Sequence, residues 1–338
     1  MHFSNAKATG PPPPVGAYVP VPTFFTPRAK SGSSRQTAVD VATQVQHSVH
    51  LAANGIRGLV LLGSTGEAIH LSSSERRALV SGVRKGLTEA GFPDYPIMAG
   101  VLTNSVDDAL EQLQDAKESG AQWGLVLVPG YFGPAVTQQN IKEWYTEVAD
   151  GSPLPVLMYH YPGVTNNVQV ETSTYTYLAA HPNIVGAKMS HGNVSHHLQV
   201  SLDPAIDHAQ FRLYSGFGQQ LFPIVSLGGA GVIDGLAAFF PRTVVRLMQL
   251  STTLPYTEEA MEEIGRLQFA VSSTEEMVGK YGIVGIKEAI YRVLGMGTME
   301  GSRLPLKGSM GHGEWEKWGL CIDRMKELEA SVGGKADA

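Results

Sequence analysis

Apolar and polar positions along the 338-residue chain switch repeatedly between compact apolar runs and a three-and-four spacing. "GAYVPVPTFF", Gly16 to Phe25, is a compact run with prolines where an end must bend, the pattern of a first strand. Val41, Val45, Val49 and Ala52 follow at the spacing of one helix face, and Gly55 stops that helix. "IRGLVLLGSTGE" is again a short apolar run, ending in glycine, serine and threonine. The unit then repeats. "SSSERRALVSGVRKGLTEAG" predicts a helix with Ser72 or Ser73 at its start and Glu75 in its first turn, followed by the strand "YPIMAGVL". "SVDDALEQLQDAKESG" and "TQQNIKEWYTEVAD" predict helices around the strand "AQWGLVLVPG". "LPVLMYHYPG" and "NIVGAKMS" predict strands on either side of "VETSTYTYLAAHP", and "FRLYSG" another. "FGQQLFPIVSLGG" predicts a short helix before the strand "AGVIDGL".

This alternation predicts eight strands, centred near residues 18, 58, 97, 125, 156, 185, 213 and 231, the number that closes an α/β (β/α)8, or TIM, barrel. The seventh and eighth are short and rich in glycine, so a doubly wound open sheet is the competing arrangement. Past Phe240 the strand signals cease, and "EEAMEEIGRLQFAVSSTEE", "GIVGIKEAIYRVLG" and "EWEKWGLCIDRMKELEASV" predict helices. The expected organisation is a flexible N-terminal segment over 1–14, the barrel over 15–240 and a C-terminal helical extension over 241–333.

Composition narrows the class. With 43% hydrophobic and 17% charged residues the chain can bury a large core. A net charge of -6 gives no electrostatic reason to expect a nucleic acid or an anionic membrane as partner. No apolar stretch reaches the roughly 18 residues of a membrane span, and the proline-rich lead "ATGPPPPVGAYVP" lacks the basic segment and long apolar core of an export signal. Cys321 is the only cysteine, so an intrachain disulfide is excluded and a cytoplasmic enzyme is expected.

The residues with chemical potential fall at the ends of predicted strands, where the βα loops of a barrel converge. Lys188 follows the apolar run "NIVGA"; desolvation there lowers an ammonium's pKa and raises the population of neutral amine that can attack a ketone. The alternative is an ordinary surface or ion-paired lysine. "GSTGE", Gly63 to Glu67, offers closely spaced amides and the hydroxyls of Ser64 and Thr65, donors that hold a carboxylate without a cation, or a plain strand-to-helix turn. It has no lysine of a phosphate loop, and Glu67 reads as a structural acceptor or as an acid. Tyr159 and Tyr131 are proton-transfer candidates or rim aromatics, and Phe132 reads as a pocket wall. Lys287, in "GIKEA", imitates a reactive-lysine segment but falls within a predicted helix; Lys30 and Lys142 lack an apolar lead-in. His160, His191, His196 and His197 supply imidazoles without the H-E-x-x-H spacing or a set of carboxylates, so no metal site is assigned.

With "GSTGEAIHLSSSER", "YHYPG" and "NIVGAKMSHGN" in order at those strand ends, the chain resembles the dihydrodipicolinate synthase / N-acetylneuraminate lyase family of class I pyruvate-dependent aldolases, from about Val15 to Leu294. The resemblance implies a (β/α)8 barrel in which Lys188 forms a Schiff base, Ser64 and Thr65 hold the pyruvate carboxylate with Gly63 and Gly216 beside them, and Tyr159 transfers protons. It implies a homodimer or homotetramer, since Tyr131 matches an aromatic that approaches a neighbouring subunit's site. It implies no cofactor, because the imine is itself the electron sink. Three departures bear on the substrate: Val164 stands where synthases commonly carry an arginine for a second carboxylate, Met189 where they often carry glutamate, and Gly130 where a first tyrosine is common. "GSTGEAIHL" and "YPGV" look most like fungal 2-keto-3-deoxy-sugar-acid aldolases and 4-hydroxy-2-oxoglutarate aldolases.

The expected reaction is reversible cleavage of a 2-oxo-3-deoxy sugar acid to pyruvate and a hydroxyaldehyde, with Val164 lining the aldehyde end. A 4-hydroxy-2-oxoglutarate aldolase, a 4-hydroxy-tetrahydrodipicolinate synthase and a hydratase-aldolase are the alternatives. A metal-dependent aldolase and a non-catalytic binding barrel rank below them.

Overall fold

The computed structural model describes residue 3 and residues 6–27, 36–306 and 308–332. Among them eight parallel strands close a barrel in chain order, which decides against the open sheet. The strands are β1 (Gly16–Pro20), β2 (Gly58–Leu61), β3 (Ile97–Val101), β4 (Trp123–Leu127), β5 (Val156–His160), β6 (Ile184–Met189), β7 (Arg212–Ser215) and β8 (Gly231–Ile233). The last two are short, as their glycine content predicts. At Gly231 a Cβ would fall 1.9 Å from the Gly16 carbonyl oxygen, so only glycine lets β8 approach β1 and close the ring.

Helices α1 (Val41–Ala53), α2 (Ser73–Glu89), α3 (Val106–Glu118), α4 (Gln138–Gly151), α5 (Thr172–Ala179), α6 (Val194–Ser201), α7 (Leu221–Val225) and α8 (Pro241–Thr252) alternate with the strands. Their starts are local in origin. The Asp40 carboxylate accepts from the Thr43 amide to begin α1, and Ser72 and Glu75 form a reciprocal capping box at α2. Buried faces such as Leu79, Val80, Val83 and Leu87 of α2 then pack on the barrel's outer surface.

Side chains alternate along each strand between the helix layer and the barrel interior. On β5, Val156 and Met158 join the outer core, whereas Leu157 and Tyr159 join an inner one with Tyr18, Val60, Met98 and Tyr214. Strand β6 breaks the alternation. Val156 pairs with Ile184 but Leu157 with Gly186, so β6 carries one extra residue. Val185 faces inward while Ala187 and Met189 face outward, and Tyr159 is thereby set beside Lys188. An unbulged strand would continue inward at residue 187 and turn Lys188 toward the helices.

Residues 6–14 differ from the expected flexible segment. The Thr9 amide and hydroxyl donate to Asn183 Oδ1 at 3.0 and 2.6 Å, and the Pro11 carbonyl accepts from Trp123 Nε1 at 2.8 Å. The Pro13 carbonyl accepts from the Tyr214 hydroxyl and from Arg212, so this stretch is tied across the start of β4, β6 and β7. Proline suits it because its fixed φ leaves little entropy to lose on docking.

Beyond β8, α8 packs against β1 and α7. The next two predicted helices are both present, as the two helical parts of α9 (Glu258–Leu294) on either side of a kink at Gly282, whose φ of 55° and ψ of -135° leave the helical region. Helix α10 (Gly319–Val332) packs on α8 and α9. Among the described residues no helix is long and apolar enough to cross a membrane.

Candidate active site

A cavity of about 960 Å³ opens at the C-terminal ends of the strands. Gly130, Tyr131, Tyr159, Val164, Lys188 and Gly216 line it together with Ser64 and Thr65, so the strand-end motifs converge on one space. Ile286, Val278 and Tyr281 of α9 form a further wall, so the extension completes the pocket.

Lys188 is 4% exposed, with its Nζ 4.6 Å from the centroid of the Tyr159 ring. Burial lowers its pKa to about 7, against the opposing pull of the Asp234 carboxylate. At neutral pH a large share of the side chain is therefore free amine. The Tyr159 hydroxyl donates to Ser64 Oγ at 3.4 Å. Burial pushes this phenol up to about 12, so it is a proton carrier at rest and not a phenolate base.

The "GSTGE" loop owes its shape to two left-handed residues, Leu62 (φ 61°) and Glu67 (φ 52°). The Glu67 amide donates to the Ser64 carbonyl, and the Gly66 carbonyl accepts from the Thr23 hydroxyl at 2.6 Å. Among the described residues the Ser64 and Thr65 amides donate to no backbone carbonyl, and both residues line the cavity. Glu67 is buried and ion-pairs with Lys287 of α9, and its other oxygen faces His70 Nδ1 at 3.2 Å. It is a structural acceptor that ties the loop to the extension, and Lys287 is a partner of that acceptor outside the cavity lining.

Gly216 is a close-approach glycine: a Cβ would lie 2.0 Å from Ser190 Oγ. Gly130 has a similar cause, since a Cβ there would meet Thr165 at 2.2 Å, and this packing leaves no room for a tyrosine. Tyr131 lines the cavity mouth and is 75% exposed. Phe132, expected as a wall, stands outside the lining and is 68% exposed, because the turn after β4 stacks it edge-on against Tyr131 at the surface. Lys142 lies on α4 with its ammonium 5.3 Å from the Tyr177 ring, and Lys30 lies outside the described residues.

Asp234 and Glu275 were not singled out by any sequence pattern. Asp234 follows β8 and Glu275 projects from α9, and both accept from the Leu236 amide, at 3.3 and 3.0 Å. Burial and the neighbouring Asp234 hold the Glu275 carboxyl well above the ordinary carboxylate range, so it keeps its proton. The two are 41 residues apart in the chain, which hides the pair from any local motif. His160, His191 and His196 come together on the outer side of β5 and β6, where none of them lines the cavity.

The sequence profile described as the dihydrodipicolinate synthetase family matches residues 26–307, most of the chain. The L-threo-3-deoxy-hexylosonate aldolase of Hypocrea jecorina is 32% identical over 299 residues, 87% of this chain and 90% of its own. A protein of Emericella nidulans named "Probable 4-hydroxy-2-oxoglutarate aldolase, mitochondrial" is 32% identical over 83% of this chain and 86% of its own. The solved structure of a dihydrodipicolinate synthase family protein from Coccidioides immitis superposes with a TM-score of 0.78 at 28% identity, over 96% of this chain and 99% of that one. A closed barrel with a buried lysine and a phenol side by side beneath the Ser64–Thr65 turn, in a chain that this profile matches over most of its length, is that of a class I aldolase, a carbon-carbon lyase. The chain belongs to the dihydrodipicolinate synthetase family.

Proposed function

We propose that the chain cleaves a 2-oxo-3-deoxy sugar acid to pyruvate and a hydroxyaldehyde through a Schiff base on Lys188. The observation that carries this reading is the charge of the cavity. Lys188 is the only lysine or arginine among its described lining residues, so a substrate with a second carboxylate meets no second cation among them. The far end instead presents Thr103, Asn104, Asn166 and Tyr161, groups suited to a neutral polyhydroxy tail, with half-exposed Val164 among them. The named activity of the Hypocrea jecorina relative agrees with this choice.

The neutral Lys188 amine attacks C2 of the bound 2-oxo acid, whose carboxylate takes the Ser64 and Thr65 donors, and loss of water with uptake of one proton from solvent gives a protonated imine. The C4 hydroxyl gives its proton to Tyr159 as that phenol passes its own toward the substrate carboxylate beside Ser64. The C3–C4 electron pair moves into the imine, the aldehyde leaves, and an enamine remains. Protonation at C3 and hydrolysis then release pyruvate and the free amine. An assembly of two or four chains belongs to the same reading, supported by the adjacent exposed aromatics Tyr131 and Phe132.

The 4-hydroxy-2-oxoglutarate aldolase reading has one specific support, the name of the Emericella nidulans relative. Pyruvate release measured across C4-epimeric 2-oxo-3-deoxy sugar acids and 4-hydroxy-2-oxoglutarate tests the choice. A sugar acid should give the higher kcat/KM, and preference for the dicarboxylate overturns the assignment. Borohydride with pyruvate should add a reduced three-carbon fragment to Lys188, and a protein left unmodified overturns the Schiff-base mechanism.

A further inference from the structure

The histidines of the two motifs "YHYPG" and "KMSHGNVSHH" form a cluster that the proposed reaction does not use. One candidate ligand nitrogen from each of His160, His191 and His196 lies within 4.8 Å of the others. His160 closes β5 and is fully buried, His191 follows β6, and His196 lies in the first turn of α6. Their ring centroids stand 4.9, 5.2 and 6.0 Å apart.

Packing alone leaves two facts unexplained. His160 Nε2 and His191 Nε2 are both buried, and neither has a hydrogen-bond partner among the described residues. Buried ring nitrogens without partners are costly, and three imidazoles would be expected to hydrogen-bond to one another or to carbonyls. His197, next in the chain, does this: its two nitrogens face the Asn193 and Met189 carbonyls at 2.9 and 3.1 Å. His160 and His191 instead each have a partner at Nδ1 alone, with Nε2 left over beside the neighbouring rings.

The geometry points to a divalent transition-metal site of the zinc class, with His160, His191 and His196 as ligands and water in the open position. Several features fit. His160 Nδ1 lies 2.9 Å from the Tyr175 hydroxyl, an orienting contact that leaves Nε2 as the free lone pair when Nδ1 carries the proton. Tetrahedral coordination at ordinary zinc–nitrogen lengths puts ligand atoms roughly 3.3 Å apart, so the rings must draw together by at most about 1.5 Å. His160 is held by its strand, whereas His191 and His196 are half-buried and Gly192 between them is uncrowded, so the movement falls on them. The bond from the Asn193 amide to His191 Nδ1 is long, at 3.3 Å, and is given up when Nδ1 takes the proton and Nε2 faces the cation. A bound ion would join the end of β5, next to Tyr159, to the loop that follows Lys188, from outside the cavity.

The test uses the full-length, untagged chain, stripped with a chelator, dialysed and titrated with Co2+ and then Zn2+ against a weak competing chelator. One equivalent of Co2+ with the intense visible bands of four-coordinate geometry, displaced by one equivalent of Zn2+, is expected. His191→Ala and His196→Ala should each lose that spectrum while keeping the parent's circular dichroism and pyruvate trapping. A raised thermal midpoint with Zn2+ should occur in the parent and vanish in both variants. Absence of the four-coordinate spectrum, a weak six-coordinate spectrum typical of adventitious surface imidazoles, or unchanged binding in both variants overturns the site.

Discussion

Replacing Lys188 by methionine keeps a long flexible side chain and removes the buried ammonium, which isolates the cost of holding that charge inside the barrel. The fall in pKa from 10.5 to about 7, at about 1.4 kcal/mol for each tenfold change in proton affinity, corresponds to roughly 5 kcal/mol of destabilisation when the lysine is charged. The Tyr159 ring 4.6 Å away offsets about 1–2 kcal/mol of this. Burial therefore wins, and Lys188→Met should be more stable than the parent by about 3 kcal/mol near pH 6.5. The sign with pH follows from proton counting. Below about pH 7 folded and unfolded chains both carry the proton and the penalty is complete; between about 7 and 10.5 the unfolded chain binds more protons, so the parent gains stability as pH rises. The advantage of the variant should accordingly shrink to about 1.4 kcal/mol near pH 9.5, the cost of deprotonating the lysine one unit below its unfolded pKa. Urea unfolding at matched protein concentration, with equal m-values, measures it. A variant no more stable than the parent near pH 6.5, or equally stabilised at both pH values, refutes the depressed-pKa reasoning and with it the supply of neutral amine.

Tyr159→Phe should keep imine trapping by borohydride but lower the rate of carbon-bond cleavage by about 10²–10⁴, the usual span for a lost proton carrier, as read by single-turnover kinetics. Glu67→Gln leaves the Lys287 ammonium buried without its counterion and should cost about 3–5 kcal/mol of unfolding free energy, with Lys287→Met recovering much of it in the double variant. Val164→Arg places a cation at the cavity mouth and should shift the kcat/KM ratio toward 4-hydroxy-2-oxoglutarate by up to about tenfold, the gain being limited by solvent at a half-exposed position.

Much of the site was legible before folding because its groups sit where apolar runs stop. "GSTGE", "YHYPG" and "GAK" each end a strand, and in a parallel barrel all such ends share one face. Ser72 with Glu75 predicted the start of α2 because a capping box is satisfied within four residues. The misread parts depend on distant groups. The proline-rich lead looked mobile, yet its carbonyls are claimed by Trp123, Arg212 and Tyr214. Phe132 looked like a wall because hydrophobicity alone does not say which way a turn faces.

The alternation of periods by itself determined that eight strand–helix units exist and which residues stand at their ends, since propensity, capping and spacing act over a few neighbours. Only the tertiary structure decided that Lys188 points inward. Its side of the sheet is set by the single extra residue in β6 and by pairing with β5, where Gly186 admits the Arg212 carbonyl that a Cβ would meet at 2.3 Å. The Asp234–Glu275 pair and the three-histidine cluster likewise come into being only when strand ends, loops and α9 meet. Electrostatic effects depend on separation in space and on exclusion of water, and neither is written in the order of residues along the chain.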